Sequence, residues 1–166
     1  MQFQYCPACG AKAIQKEIGD EGLMPYCETC QMPLFAMFPT CVIVLVVNEK
    51  GEAALLRQAY ISDIYCNLVS GYVKPGETAE SAAVREVQEE LNISVRNLTI
   101  CGTYWFAKKE LLMIGCIAEA EQADFILSGE VDSAMWVPAE QALSMVHPKG
   151  STSYAVLEAY LARKEN

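Results

Sequence analysis

Residues 71–93, GYVKPGETAESAAVREVQEELNI, restrict this chain more than any other stretch. They open with a Gly-Pro-Gly loop at residues 71–76, which lets the backbone turn tightly and approach a ligand. Thr78 is suited to cap a helix, and Glu80 sits in the first turn, where the helix dipole favours an acid. Helix formers continue to Leu91, and Asn92 can take the left-handed conformation that closes a helix. At about 100° per residue, Glu86, Glu89 and Glu90 fall within an arc of about 100°, while Val84, Val87 and Leu91 lie opposite. The expectation is one face of carboxylates and another that packs against a core. Three close carboxylates repel one another unless a cation neutralises them. Oxygen ligands of this kind suit Mg²⁺ or Mn²⁺. A bare Glu-Glu pair is ordinarily a solvated face. Here the acids follow a Gly-rich loop at fixed spacing and enclose Arg85.

The chain of 166 residues is one domain, or one small module plus a domain, and its 52% hydrophobic content suffices for a sizeable core. The net charge of −9 argues against a non-specific hold on long nucleic acid. A small phosphorylated ligand held through a metal stays compatible with it. The most apolar run, residues 33–47, is broken by Pro39 and is shorter than the roughly 20 residues a membrane helix needs. No secretory pattern opens the sequence, so a cytoplasmic protein is expected, with no membrane partner.

Cys6-Pro-Ala-Cys9 and Cys27-Glu-Thr-Cys30 have the spacing of a four-thiolate zinc site. Gly10 suits the turn after the first pair, and four cysteines leave no open position, so the zinc would be structural. Two disulfides are the competing account. Residues 1–35 are expected to form this ribbon and residues 36–166 the main domain. Residues 41–47, CVIVLVV, read as a central strand buried on both faces. Residues 48–51 form a turn, and residues 53–58 a returning strand whose Arg57 either reaches a phosphate or stays at the surface. A short strand at residues 67–69 delivers Gly71. After the helix come apolar segments at residues 94–101 and 102–106, a turn at residues 108–110, strands at residues 111–120 and 135–138, and helices at residues 139–145 and 151–164. Strands around an acid-rich helix suggest an α/β fold, an α/β/α sandwich around a mixed sheet.

The acidic stretch resembles the Nudix hydrolase signature: Gly, five residues, Glu, seven residues, then Arg-Glu-aliphatic-x-Glu-Glu-x-Gly-aliphatic. Gly71, Glu77, Arg85, Glu86, Val87, Glu89, Glu90 and Ile93 match it, and Asn92 stands where the family has Gly. With the zinc ribbon ahead of it, the chain resembles the NADH pyrophosphatase subfamily. Phe38-Pro39, Leu112-Met113 with Ala118-Glu119, Glu130 before Trp136, and residues 151–157 add to the likeness. The subfamily's Ser-Gln-Pro-Trp-Pro-Phe-Pro array is not retained, since residues 103–109 read TYWFAKK.

The resemblance implies a Nudix sandwich and hydrolysis of a nucleoside diphosphate linked to X, such as NADH, NAD⁺ or ADP-ribose. It implies Glu86 and Glu90 as ligands of Mg²⁺ or Mn²⁺, with Glu89 and the Gly71 carbonyl beside them. Arg85 is expected to pair with Glu77 and hold the loop. A base or further ligand is expected from Glu130, with Glu119 second, Glu121 a surface charge and His147 a bystander. Tyr104, Trp105 and Phe106 either stack on a nucleobase or pack in the core. A homodimer is implied by the resemblance alone. Removal of NAD caps from RNA, or a non-enzymatic nucleotide sensor, are the alternatives.

Overall fold

The computed structural model describes residues 3–164. It divides into two compact units, Met1–Phe38 and Pro39–Asn166. The first has little to bury: all four residues of β1, Ile14–Glu17, face solvent. β1 pairs antiparallel with β2, Leu23–Cys27, which pairs with β3, Met32–Pro33. Its core is Cys6, Cys27 and Leu34, edged by Phe3, Ala11, Ala13 and Cys30. So few apolar residues rarely hold a module of under about 40 residues without a metal or disulfides.

The second unit is built on β4, Thr40–Asn48, in which every residue after Thr40 is buried. Successive strand side chains point to opposite faces. Val42, Val44 and Val46 therefore enter one apolar layer, and Ile43, Leu45 and Val47 enter another. A strand of this kind needs cover on both sides. α1, Ala79–Leu91, closes the first layer with Ala82, Ala83, Val87 and Leu91. α2, Ala139–Ala142, and α3, Thr152–Lys164, close the second with Ala139, Ala142, Val156 and Leu157. The expected α/β/α sandwich is the observed architecture.

The remaining strands are β5 (Glu52–Arg57), β6 (Val69–Tyr72), β7 (Arg96–Phe106), β8 (Leu111–Ala120) and β9 (Ser133–Pro138). The sheet runs β7-β8-β4-β5-β9. One edge of β4 pairs in parallel with β8 along its whole length. The other edge is shared: β6 pairs antiparallel with residues 41–44, and β5 joins at Val47 opposite Ala53. Leu56 and Asn67 exchange backbone hydrogen bonds of 2.9 and 2.8 Å, which ties β5 to the approach of β6. This arrangement sets Gly71 beside Val42, on the strand next to α1.

Several local expectations change. Gly71 lies inside β6 and not in the loop, which occupies residues 73–78. Residues 96–106 form one bulged strand, and the helix at residue 139 is only four residues long. The larger correction concerns α1. Its buried face contains Glu86 and Glu90 together with Ala82, Ala83, Val87 and Leu91, while Val84 is 44% exposed. The alanines are small enough to bring the helix close to the sheet, so two of its acids lie beneath it.

The start of α1 is fixed by a reciprocal cap. The Ser81 N–H donates to Thr78 Oγ1 at 3.2 Å, and the Thr78 N–H donates to Ser81 Oγ at 2.9 Å. Asn92 closes the helix in the left-handed region at φ 54°. Thr78→Ala is expected to lower unfolding free energy by about 1 kcal/mol, measured by denaturant titration, because one helix donor loses its acceptor. No change would mean that Ser81 caps alone.

Candidate active site

Arg85 organises the loop before the helix. Its Nε and Nη2 donate to the two Glu77 oxygens at 2.6 and 2.9 Å, and Nη2 also donates to the Tyr72 carbonyl at 3.0 Å. Glu77 accepts the Lys74 N–H at 2.9 Å, so a two-pronged ion pair ties loop to helix. The Arg85 guanidinium, then the Lys74 N–H, pull the Glu77 carboxyl down to about 2, and Glu77 in turn raises the Arg85 pKa. Arg85 Nη1 reaches Glu86 at 2.6 Å and Glu89 at 2.9 Å. Glu89 also faces Lys74 Nζ at 3.5 Å and is half-exposed.

Glu86 lies against Gly71. A Cβ at Gly71 would overlap the Glu86 carboxylate, so the glycine is required here for its missing side chain. One turn further on, Glu90 is 4% exposed, and its Oε2 has no hydrogen-bond partner. Burial, then the Glu86 and Glu130 charges, push the Glu90 carboxyl up to about 8. Hydrogen bonds from Gln58 and the Ser70 backbone pull the other way without matching them. A buried acid with an orphaned oxygen beside a second buried acid is costly as it stands. The donor set is all oxygen and fits a hard divalent cation.

Glu130 reaches this cluster on a strap. The Ile126 N–H donates to the Leu91 carbonyl at 3.1 Å and the Ser128 N–H to the Glu90 carbonyl at 3.3 Å, so the segment crosses the end of α1. Trp136 anchors it, donating from Nε1 to the Ala123 carbonyl at 3.0 Å and stacking on Phe125 at 5.0 Å. Glu130 itself is exposed, but its charge acts on both Glu90 and Tyr60.

Other expected residues lie elsewhere. Tyr104 packs in the α3 layer, and its ring lies against Gly102 and Gly115. Residues two apart on a strand share a face. Phe106 therefore falls on the Tyr104 side, while Trp105 falls with Thr103, whose partner Ile114 joins the α1 layer. Trp105 is 55% exposed on that face. Arg57 does not face the acids: its Nη1 donates to the Asp63 and Ile64 carbonyls, both at 3.4 Å. Glu119 is held by Asn97 at 2.8 Å towards the other end of β8. Glu121 faces Arg96 at 3.3 Å, and His147 packs on Tyr65 at 4.7 Å. Burial pushes the Cys41 and Cys116 thiols up to about 11, as suits core residues. Gln58 and Tyr60 were not foreseen. The row Ala54 and Leu56 on one face of β5, continued by Gln58 just past its end, was a signal, because it sets an amide where an apolar side chain would be ordinary.

In the smaller unit, Cys6, Cys9, Cys27 and Cys30 have sulfurs all within 4.8 Å of one another. All four are free thiols, none joined as a disulfide. The Cys9 and Ala8 N–H groups point at the Cys6 sulfur and bring its pKa down to about 7. The Cys30 N–H donates to Cys27 Sγ at 3.3 Å. Gly10 and Gln31, each following a pair, have φ of 73° and 55°, so both pairs end in the same turn. Four convergent sulfurs fit a tetrahedral thiophilic metal.

The profile of the NUDIX domain matches residues 37–160. The chain belongs to the Nudix family. Among curated proteins it is similar to the NAD-capped RNA hydrolase NudC of Pseudomonas fluorescens, at 29% identity over 98% of this chain and 58% of that one. It thus spans just under three-fifths of the length of such relatives. Among solved structures it is similar to a NUDIX hydrolase from Nitrosomonas europaea, with TM-score 0.74 and 19% identity over 98% of this chain and 93% of that one. An Ap4A hydrolase of C. elegans matches with TM-score 0.62 and 25% identity, over 76% of this chain and 98% of that one.

Glu77 yields a pH prediction. Its folded pKa, about 2, lies below its ordinary 4.5, so its ion pair adds stability that is complete above about pH 4.5 and is lost as pH falls towards 2. The stability difference between the parent and Glu77→Gln should therefore be constant above pH 4.5 and shrink below it. A difference that is flat through this range would remove the Glu77–Arg85 pair from the acid response.

Proposed function

We propose that the chain hydrolyses the diphosphate bond of a nucleoside diphosphate linked to X, releasing a nucleoside monophosphate. The observation that carries this reading is the buried pair Glu86 and Glu90 against Gly71, with Glu90 Oε2 unpartnered. Glu86 and Glu90 would hold Mg²⁺ or Mn²⁺, with Glu89, Glu130 and the Gly71 carbonyl as further donors. The cation would neutralise the diphosphate and acidify a water. Arg85 and Glu77 fix the loop, so that Gly71 keeps room for the Glu86 carboxylate. Glu130, exposed near Glu90, is assigned either that donor role or the role of the base that takes the proton of the attacking water. Dinucleotides and nucleotide sugars, among them NADH, NAD⁺ and ADP-ribose, are the substrate class.

The name carried by the Pseudomonas relatives supports a second reading, in which the same bond lies in the NAD cap of RNA. The net charge of −9 weighs against a broad RNA footprint, so the small-molecule reading is preferred. Residues 1–35 are proposed as a zinc ribbon with a structural metal, and residues 36–166 as the hydrolase domain. A cytoplasmic setting suits eight free thiols. Among the described residues no helix is long and apolar enough to cross a membrane. A homodimer is carried over from the resemblance.

Purified protein with Mg²⁺ or Mn²⁺ is expected to cleave NADH, NAD⁺ or ADP-ribose to a nucleoside monophosphate, read by chromatography and mass spectrometry. Glu90→Gln should lose most of this turnover, on the order of 10²-fold or more, while keeping its circular dichroism spectrum. Full turnover in the folded variant would defeat the metal assignment. Preference for NAD-capped RNA over free NAD⁺ would favour the second reading.

Elemental analysis should find about one zinc per chain, and chelation should lower the melting temperature. Protein that is purified without zinc and indifferent to chelator would rule out the ribbon.

A further inference from the structure

Beside the acids, one exposed aromatic residue is held more firmly than its position on a turn would lead one to expect. β5 ends at Arg57, and the chain turns at once. Gln58 continues the inward row of β5 and is 1% exposed. Its Nε2 donates to Tyr60 Oη at 3.2 Å, while its Oε1 has no partner. The Gln58 amide also acts on Glu90, drawing the pKa of that carboxyl down. The Tyr60 hydroxyl is thus anchored beside the acid cluster, and the residue is 69% exposed.

The turn is tied down on several sides. The Gln58 carbonyl accepts from the Ile61 and Ser62 N–H groups at 2.8 and 3.1 Å. Ser62 Oγ accepts from the Ile64 and Tyr65 N–H groups at 3.2 and 3.0 Å. The Asp132 carboxylate accepts the Ala59 N–H at 2.6 Å. Arg57 reaches over to the Asp63 and Ile64 carbonyls. An aromatic ring fixed in advance loses little freedom when a ligand meets it.

We propose that Tyr60 is a stacking platform for a planar ring of the substrate that carries no negative charge, a nucleobase or a nicotinamide-type ring. The proposal rests on the diphosphate-hydrolase reading above. The charges that act on the hydroxyl are the acids Glu130 and Glu90, which disfavour a second phosphate there. Ile61 and Ile64, 44% and 74% exposed, add apolar surface on the same turn. In strand order, Gly71 on β6 lies between this turn and Trp105 on β7, so an exposed aromatic stands on each side of the acids.

The test is calorimetric titration with Mg²⁺ present, using AMP as the probe with a ring and inorganic pyrophosphate as the probe without one. Tyr60→Leu should weaken AMP about tenfold and leave pyrophosphate unchanged, since stacking on a base is worth about that much. Tyr60→Phe keeps the ring and should stay within about threefold of the parent for AMP. With ADP-ribose as substrate, the loss in Tyr60→Leu should appear in KM more than in kcat. Unchanged AMP affinity in Tyr60→Leu overturns the proposal, as does equal weakening of AMP and pyrophosphate, which would place the effect at the acids. Should Tyr60→Leu not fold, Tyr60→Trp decides: parent-like or tighter AMP binding supports the platform, and a loss of about tenfold overturns it. The titrations need no turnover, so an inactive parent that binds AMP through Tyr60 would count against the hydrolase reading alone.

Discussion

Glu86 and Glu90 stand one helical turn apart on the side of α1 that faces the sheet, where little water separates their charges. Most of the surrounding structure can be understood as accommodating that pair. The helix comes close because Ala82 and Ala83 occupy the same face. Glu86 fits because Gly71 has no Cβ. Gly71 is in place because β6 takes half of one edge of β4 and leaves the other half to β5. The shared edge also brings Gln58 towards Glu90 from β5. The sheet topology and the acid pair are therefore one arrangement, and altering either disturbs the other.

The charge is only partly balanced from within. Arg85 is a single cation serving Glu77, Glu86 and Glu89. Its shortest contacts, at 2.6 Å, are to Glu77 and Glu86, which leaves Glu90 to burial and to hydrogen bonds from neutral groups. Exposed ion pairs such as Lys74 with Glu89 contribute little and exchange partners readily. The loop clasp is therefore durable, while Glu90, the acid without a cation beside it, keeps an unpartnered oxygen. This division separates a residue that shapes the site from residues that would bind in it.

Much of this was legible in the sequence because the decisive signals are local. The unbroken apolar run across residues 42–47 demanded two covering layers, and the spacing from Gly71 to Glu90 identified the acid-bearing helix. The fixed cysteine pairs identified the sulfur cluster. What stayed hidden depends on neighbours distant in the chain. A helical wheel places Val84 opposite the acids but cannot say which side meets the sheet, and the helix buries its acids and exposes Val84. The segment GTYWF offers three aromatics with no indication that Tyr104 turns towards α3 and Trp105 towards the α1 face. Arg57 could be read either as a phosphate contact or as a surface arginine, because nothing in the sequence showed two loop carbonyls waiting for it.

The overall charge bears on how such a site would hold a diphosphate. With 21 acids against 12 lysines and arginines, the chain as a whole repels phosphate. Two basic residues near the acids, Arg85 and Lys74, are already engaged with Glu77, Glu86 and Glu89. On the proposed reading, attraction to the phosphates therefore passes through the cation that Glu86 and Glu90 hold. Discrimination among substrates then falls to groups without charge. On the α1 face those would be the exposed Trp105 and the anchored ring of Tyr60, which on this reading would take planar rings at a distance from the diphosphate. A substrate with a ring at either end of a diphosphate satisfies both demands. Inorganic pyrophosphate satisfies neither.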